Sequence, residues 1–232
     1  MTLDTAQRVT EVLLALAFLQ QAAEHVWGSR VAPGLMALRG MGAAALLAGW
    51  ATPVVLLGLS LHAVAVLHRF GGPYNGGSDR MGLLVLWCLT LSHWLPAGTA
   101  QEVALGYLGV QVVLSYFISG QVKIANPDWR SGQALRDVFR FSAYPVSEEL
   151  RTLAHRPRLL WGAGWAVMLF EVAFPLALLD VRLSVAALGL AAAFHVANAC
   201  LFGLNRFVWV WIASYPAILW LQGVLVARLS LS

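Results

Sequence analysis

The sequence predicts an all-α integral membrane protein, a bundle of about eight transmembrane helices with a short interfacial helix. Two observations lead to this fold class. Hydrophobic residues make up 59% of the 232 residues and charged residues only 11%, and a soluble domain of this length needs more polar surface than that. Apolar runs of about 17–25 residues, the length that crosses a bilayer as a helix, also recur along the whole chain.

The charge and the cysteine content exclude other classes of protein. A net charge of +4 is modest and requires no nucleic-acid partner. Cys88 and Cys200 lie in apolar runs without metal-ligand spacing, so we expect small core residues there and no metal site. The N-terminal run is too polar for a cleaved signal peptide, so we interpret it as a retained first span.

The predicted spans share high hydropathy and a length close to one bilayer crossing. They cover residues 9–27, 34–51, 53–70, 80–96, 102–123, 159–180, 182–202 and 205–228. We interpret 1–232 as a single transmembrane domain in which 124–158 is an interfacial loop–helix segment. An even number of spans predicts that both termini lie on the same side of the membrane, with the orientation left open.

Two polar features stand in the first half of the chain. In the first span, Gln21, Glu24 and Gly28 share one helical face that we expect to look into the bundle, either to line a pocket or to make structural hydrogen bonds. The glycine-rich loop at 71–80 contains Asn75 and Asp79. These side chains either line a cavity or belong to an exposed turn in which Asp79 caps the next helix.

Lys123 is the only lysine of the chain, and the other fourteen basic residues are arginines. It ends an apolar run. A lysine can lose its proton and act as a base or nucleophile, whereas an arginine cannot. The alternative is that Lys123 only marks a helix end, where its amine reaches the membrane interface.

The segment 124–158 predicts a short helix lying in the membrane interface. Ala134, Leu135, Val138 and Phe139 form an apolar stripe opposite charged residues, and Trp129 is the expected interfacial anchor. Loops of this length usually carry function or cover a site.

The last spans contain three further polar candidates. Glu171 lies near the middle of span 6, where a carboxylate is either functional or structural, as a partner for an arginine or next to a helix kinked at Pro175. In span 7, His195 and Asn198 share one helical face, so both could converge on a ligand or on Lys123.

Two segments resemble a known family. The run Tyr116-Phe-Ile-Ser-Gly-x-x-Lys123, followed by Asp128-Trp129, resembles the catalytic-lysine segment of the vitamin K-dependent gamma-carboxylases. The run Phe194-His195-x-x-Asn198-x-x-Leu201-Phe202 is similar to a second segment of the same proteins. The wider group is the HTTM (horizontally transferred transmembrane) family of bacterial membrane proteins.

The resemblance implies a membrane-embedded, carboxylase-like lyase of the bacterial cytoplasmic membrane that uses reduced vitamin K or another quinone. In the carboxylases a deprotonated lysine takes a proton from reduced vitamin K, and the base formed with oxygen deprotonates glutamate for attack on carbon dioxide. Lys123 matches that lysine, and His195 matches the second-segment histidine. The expected pocket residues are Asn198, Asp79, Asn75, Trp129, Tyr116 and Glu171.

The expected substrate is a peptide or a small molecule, and the expected surroundings are the lipid bilayer and a lipid-soluble quinone. The loop at 71–80 has no histidine where the carboxylases have one. The alternative is therefore a non-catalytic HTTM membrane partner in the maturation or export of a peptide. The expected partner is a peptide substrate or a separate partner protein.

Overall fold

The computed structural model describes residues 1–29, 32–72, 76–142 and 147–229, without the side chains of residues 28 and 29. Across these ranges the chain forms helices and no strand, which confirms the all-α prediction. The α-helices are α1 Leu3–Ala23, α2 Pro33–Ala48, α3 Thr52–Phe70, α4 Gly76–Trp94, α5 Thr99–Ala125, α6 Pro127–Ser131, α7 Gln133–Phe141, α8 Pro157–Ala173, α9 Val181–Phe202, α10 Asn205–Ile212 and α11 Tyr215–Leu229.

Three segments have other helical geometry. Glu24–Ser29 continues α1 as a π-helix, and Glu148–His155 and Phe174–Leu179 are 3₁₀-helices. The last of these begins one residue before Pro175. Proline lacks the backbone N–H that an α-helix needs at that position, so the change from α8 to 3₁₀ geometry agrees with the predicted kink.

Five helical stretches among the described residues are long and apolar enough to cross a membrane. They are Thr52–Phe70, Thr99–Ala125, Pro157–Leu179, Val181–Phe202 and Asn205–Leu229. The other three predicted spans correspond to α1, α2 and α4. Helix α2 has only 16 residues, and α1 contains Arg8, Glu11 and Gln21. The integral-membrane prediction agrees with these helices, and the count of eight spans stays a prediction.

The chain divides into two compact units by its internal contacts. Unit 1 comprises Met1–Val110 and Arg206–Val224, and unit 2 comprises Gln111–Asn205 and Leu225–Ser232. The interpretation of 1–232 as one transmembrane domain stays a prediction.

Unit 1 is held together by α1, which packs against α2 and α4. Polar groups tie the ends of these helices to one another. Glu11 is buried and accepts a 2.6 Å hydrogen bond from His93. Arg8 donates to Glu11 and to the carbonyl oxygens of Leu46 and Leu47, which satisfies part of the open C-terminus of α2.

In unit 2, α7 and the 3₁₀-helix Glu148–His155 pack on each other and on the start of α8. The predicted helix with its apolar stripe therefore exists. Phe139 of the stripe is buried against Ala154 and Leu160, with Leu135 packed beside them, whereas Val138 is exposed. Part of the stripe is thus covered by protein, and the placement of α7 in the membrane interface stays a prediction.

Candidate active site

The site begins with one face of α5 in unit 2. Tyr116, Ser119 and Lys123 follow one another at i, i+3 and i+7, so all three side chains leave the helix on the same side. Gly120 lies on the adjoining turn, where a Cβ atom would come within 2.7 Å of the backbone nitrogen of Val172 and 2.9 Å of the Cβ of Glu171. Glycine therefore lets α5 and α8 approach backbone to backbone at this level.

The close approach brings Lys123 to Glu171. The lysine Nζ lies 2.6 Å from both carboxylate oxygens and donates a 2.8 Å hydrogen bond to the Ser119 hydroxyl. That hydroxyl lies 3.3 Å from Glu171 Oε1. The carboxylate side chain is 4% exposed and the lysine side chain 18%. One interpretation of the sequence made Glu171 the structural partner of an arginine. Glu171 does have a cationic partner, but that partner is Lys123.

Trp129 approaches the ammonium from a second side. The centroid of its ring lies 5.3 Å from Lys123 Nζ, within the range of a cation–π contact. Asn126 caps the short helix α6 by accepting from the Asp128 N–H, which orients this turn. The sequence predicted Trp129 both as an interfacial anchor and as a pocket residue, and its side chain contacts the lysine.

His195 lies deeper in the same unit. Its Nε2 is 2.9 Å from the Tyr116 hydroxyl, and both side chains are buried. The Tyr116 ring stacks on Phe174 with a centroid separation of 4.1 Å. Tyr116 precedes Lys123 by seven residues, which is about 10 Å along a helix. His195 is therefore joined to the predicted residue Tyr116, and none of its described contacts is with Lys123.

A cavity of about 580 Å³ opens beside the lysine within unit 2. Lys123, Trp129 and Asn198 line it, as expected from the sequence, together with Asp137 of α7. Its remaining walls are largely apolar and include Leu135, Val138, Phe141, Val167, Phe194 and Phe202. His195 is not among the lining residues. Lys123 and Asn198 therefore share a cavity, and His195 stands behind its wall next to Phe194.

Asp79 belongs to unit 1 and accepts a 2.8 Å hydrogen bond from Gln21 Nε2. It lines a separate small cavity together with Gly72 and Ser78 of the glycine-rich loop. Asn75 lies outside the described residues. The prediction for Gln21 as an inward-facing residue agrees with its burial.

Four residues of these sites were not singled out from the sequence. Ser119 and Gly120 lie within the motif around Lys123, and their i−4 and i−3 spacing from the lysine was the available signal. Arg39 and Arg206 line the unit 1 cavity. A guanidinium in the apolar run of α2 is costly unless it has partners, and that cost could have marked Arg39 as a candidate.

These features define a class: a helical integral membrane protein with a lysine–carboxylate pair beside a largely apolar cavity. Residues 99–221, more than half of the chain, match the HTTM domain. The chain belongs to the HTTM domain family. The match includes Lys123, Glu171, His195 and Asn198, and it is consistent with a carboxylase-related membrane protein. No curated protein matches the chain, and no solved structure matches it.

Proposed function

We propose that this protein is a membrane-embedded, gamma-carboxylase-like enzyme that acts with a reduced quinone and uses Lys123 as its general base. One observation carries the proposal: the only lysine of the chain is paired with Glu171 at the edge of a largely apolar cavity that Asn198 also lines. A base placed beside an apolar cavity can act on a lipid-soluble molecule without competition from bulk water.

The residues around the cavity fit a quinone. Its aromatic and aliphatic walls suit a flat apolar ring, with Trp129, Phe194 and Phe202 as the aromatic groups that would hold it. Lys123 and Asn198 would supply the hydrogen bonds to ring oxygens. When bound, a reduced quinone supplies an ionisable ring hydroxyl and two electrons.

Lys123 must first become a neutral amine, and Glu171 is the group that can take its proton. An N–H bond of the ammonium breaks and an O–H bond forms on the carboxylate across a 2.6 Å contact. The result is a neutral amine beside a neutral acid. Removal of water favours this neutral pair relative to the charged one, because the charged forms lose more solvation. Ser119 contacts both partners and holds their geometry.

The exchange Lys123→Arg tests the base role. Arginine keeps the positive charge and can still pair with Glu171, but it does not supply a lone pair at neutral pH. We expect Lys123→Arg to leave the amount of protein in the membrane near normal and to abolish complementation of a deletion strain. Lys123→Ala should also be inactive, with partial rescue by small amines that enter the vacated space. Arg158→Lys, an exposed exchange between the same two residue types in α8, is the matched control and should complement fully.

A second candidate function is that of a non-catalytic membrane partner in peptide maturation or export. The observation that favours it is that Lys123 and Glu171 join α5 to α8 as an ion pair, which is a sufficient structural role. Full complementation by Lys123→Arg would support this candidate and refute the base. Mass spectrometry of lipid extracts from the purified protein separates the two further, because the enzyme should retain a quinone and the partner need not.

A further inference from the structure

The strongest feature outside the Lys123 site is a small cavity in unit 1 that is lined by two arginines. Arg39 of α2 and Arg206 of α10 both border it, together with Gln21, Ser78 and Asp79. All of its lining residues belong to unit 1, so it is independent of the proposed function of Lys123. Two guanidiniums and one carboxylate line the cavity, and a second carboxylate, Glu24, which does not line it, pairs with Arg206.

The two arginines are only partly satisfied. Arg39 is 6% exposed, donates through Nη1 to Gln21 Oε1, and lies over the Phe18 ring. Arg206 pairs through Nε with Glu24 at 2.5 Å. The Nε of Arg39 and the Nη1 of Arg206 are buried and have no hydrogen-bond partner among the described residues. Buried donors of a charged group are expensive to leave without an acceptor.

The hydrogen-bond partner of Arg39 does not supply a negative charge. Its direct hydrogen bond goes to a neutral amide, because Gln21 stands between it and Asp79. Within the described part of the chain, no ion pair joins Arg39 to a carboxylate. Among the residues that the structure describes, the charge of this guanidinium therefore has no directly bonded counter-charge.

The size of the cavity limits what could supply the missing acceptors. Its volume is about 30 Å³, and a single water needs a space of roughly 10–15 Å³. The cavity is therefore small and suits a group of a few non-hydrogen atoms, such as one carboxylate. Guanidinium N–H donors match the geometry of carboxylate and phosphate groups, and carboxylate is the smaller of the two.

We propose that Arg39 and Arg206 form a binding site for a single carboxylate group, carried either by a free small anion or by the end of a longer molecule. The carboxylate oxygens accept from the guanidinium groups of Arg39 and Arg206, which border the cavity, and Gln21 and Ser78 complete the polar wall. The two neighbouring acidic side chains are already engaged, Asp79 with Gln21 and Glu24 with Arg206.

The experiment uses the full chain in nanodiscs and sodium formate as the probe. Formate has three non-hydrogen atoms, and formamide is its neutral counterpart of the same size. We expect formate to raise the thermal unfolding midpoint and to broaden the signal of ¹³C-formate, relative to formamide and to sodium chloride at equal ionic strength. Propionate separates the two sources: equal binding indicates the end of a longer molecule and weaker binding a free small anion, and both support the site.

Arg39→Lys keeps the charge but removes the planar donor pair, so the Kd for formate should rise at least about tenfold. Arg69→Lys, at an exposed arginine of the same unit, is the matched control and should leave the Kd unchanged. Arg206→Lys replaces the first variant if that one does not fold. Equal effects of formate and formamide, or of formate and chloride, would overturn the proposal and assign the cavity to water or to a halide. An unchanged Kd in both arginine variants would overturn it as well.

Discussion

The polar clusters of the two units use different cations and satisfy them differently. In unit 2, Lys123 is bonded to both oxygens of Glu171 and borders a cavity of about 580 Å³. In unit 1, Arg39 and Arg206 border a cavity of about 30 Å³ and retain unused N–H donors among the described residues. An amine can release its proton to a paired carboxylate, whereas a guanidinium keeps its charge. The first cluster therefore suits proton transfer, and the second suits holding an anion.

Glu171→Ala should have the largest effect on stability, because it leaves the Lys123 ammonium without its carboxylate. Removal of one partner of a buried ion pair costs about 3–5 kcal/mol. The lysine side chain is 18% exposed, so we expect the lower end, about 3 kcal/mol. The measurement is the free energy of unfolding in mixed micelles.

The corresponding change in unit 1 is the control. Glu24 also pairs with a cation, Arg206, which is 17% exposed and therefore as buried as Lys123, but the Glu24 side chain is 35% exposed whereas that of Glu171 is 4% exposed. Water can take the place of the Glu24 carboxylate, and Arg206 keeps its contact with His25, so Glu24→Ala should lower the free energy of unfolding by only about 1 kcal/mol or less. The double variant Lys123→Met, Glu171→Met should recover most of the lost stability, because no charge is left unpaired. It should remain inactive, because it has no lysine. A loss for Glu171→Ala no larger than that for Glu24→Ala would contradict the contrast between the clusters.

Gly120→Ala should have the next largest effect on the free energy of unfolding. Its new Cβ would meet the Val172 backbone at 2.7 Å, and overpacking of this kind costs about 1–3 kcal/mol. Because α5 and α8 must separate, the Lys123–Glu171 contact should lengthen and activity should fall with stability. Thermal unfolding and complementation measure the two effects.

Two other glycines calibrate this prediction. At Gly42 of unit 1 the same Cβ would meet only the flexible end of Leu59, so Gly42→Ala should cost less than Gly120→Ala. At Gly162 of α8 nothing lies within 4 Å, and alanine there should stabilise the helix by up to about 1 kcal/mol. If all three variants behave alike, close approach of the helices is not what positions the pair.

Tyr116→Phe should lower the free energy of unfolding by about 1–2 kcal/mol, because buried His195 loses its hydrogen bond with the tyrosine hydroxyl while the ring still stacks on Phe174. Tyr107→Phe, at an exposed position of the same helix, should be neutral within error. Equal unfolding free energies for the two variants would show that the hydroxyl does not orient the histidine.

Glu148→Gln should have the smallest effect on the stability of the fold. The hydrogen bond from Arg151 lowers the pKa of the Glu148 carboxyl below its usual value. The pair therefore stabilises the fold above the usual carboxyl pKa, and this contribution disappears as the pH falls through the lowered pKa. Because Glu148 is fully exposed, its removal should leave the midpoint at neutral pH almost unchanged. A loss comparable to that of Glu171→Ala would remove the distinction between surface and interior pairs.

The sequence by itself determined the class of the protein and most of its helices. Hydropathy is a sum over neighbouring residues, so it can be read from the sequence without knowledge of the packing. Five predicted spans agree with helices that can cross a membrane, at 53–70, 102–123, 159–180, 182–202 and 205–228. The shared face of Tyr116, Ser119 and Lys123 on α5 could have been predicted in the same way, since i, i+3 and i+7 spacing is a local property of a helix, but Ser119 was not singled out from the sequence.

Only the tertiary structure decided which polar groups meet. Lys123 and Glu171 are 48 residues apart, Tyr116 and His195 are 79 apart, and Gln21 and Asp79 are 58 apart. Helical periodicity says which face a side chain is on, but not which helix it faces. That choice depends on where two backbones can approach, as Gly120 allows α5 to approach α8, and this is a property of the packed helices together.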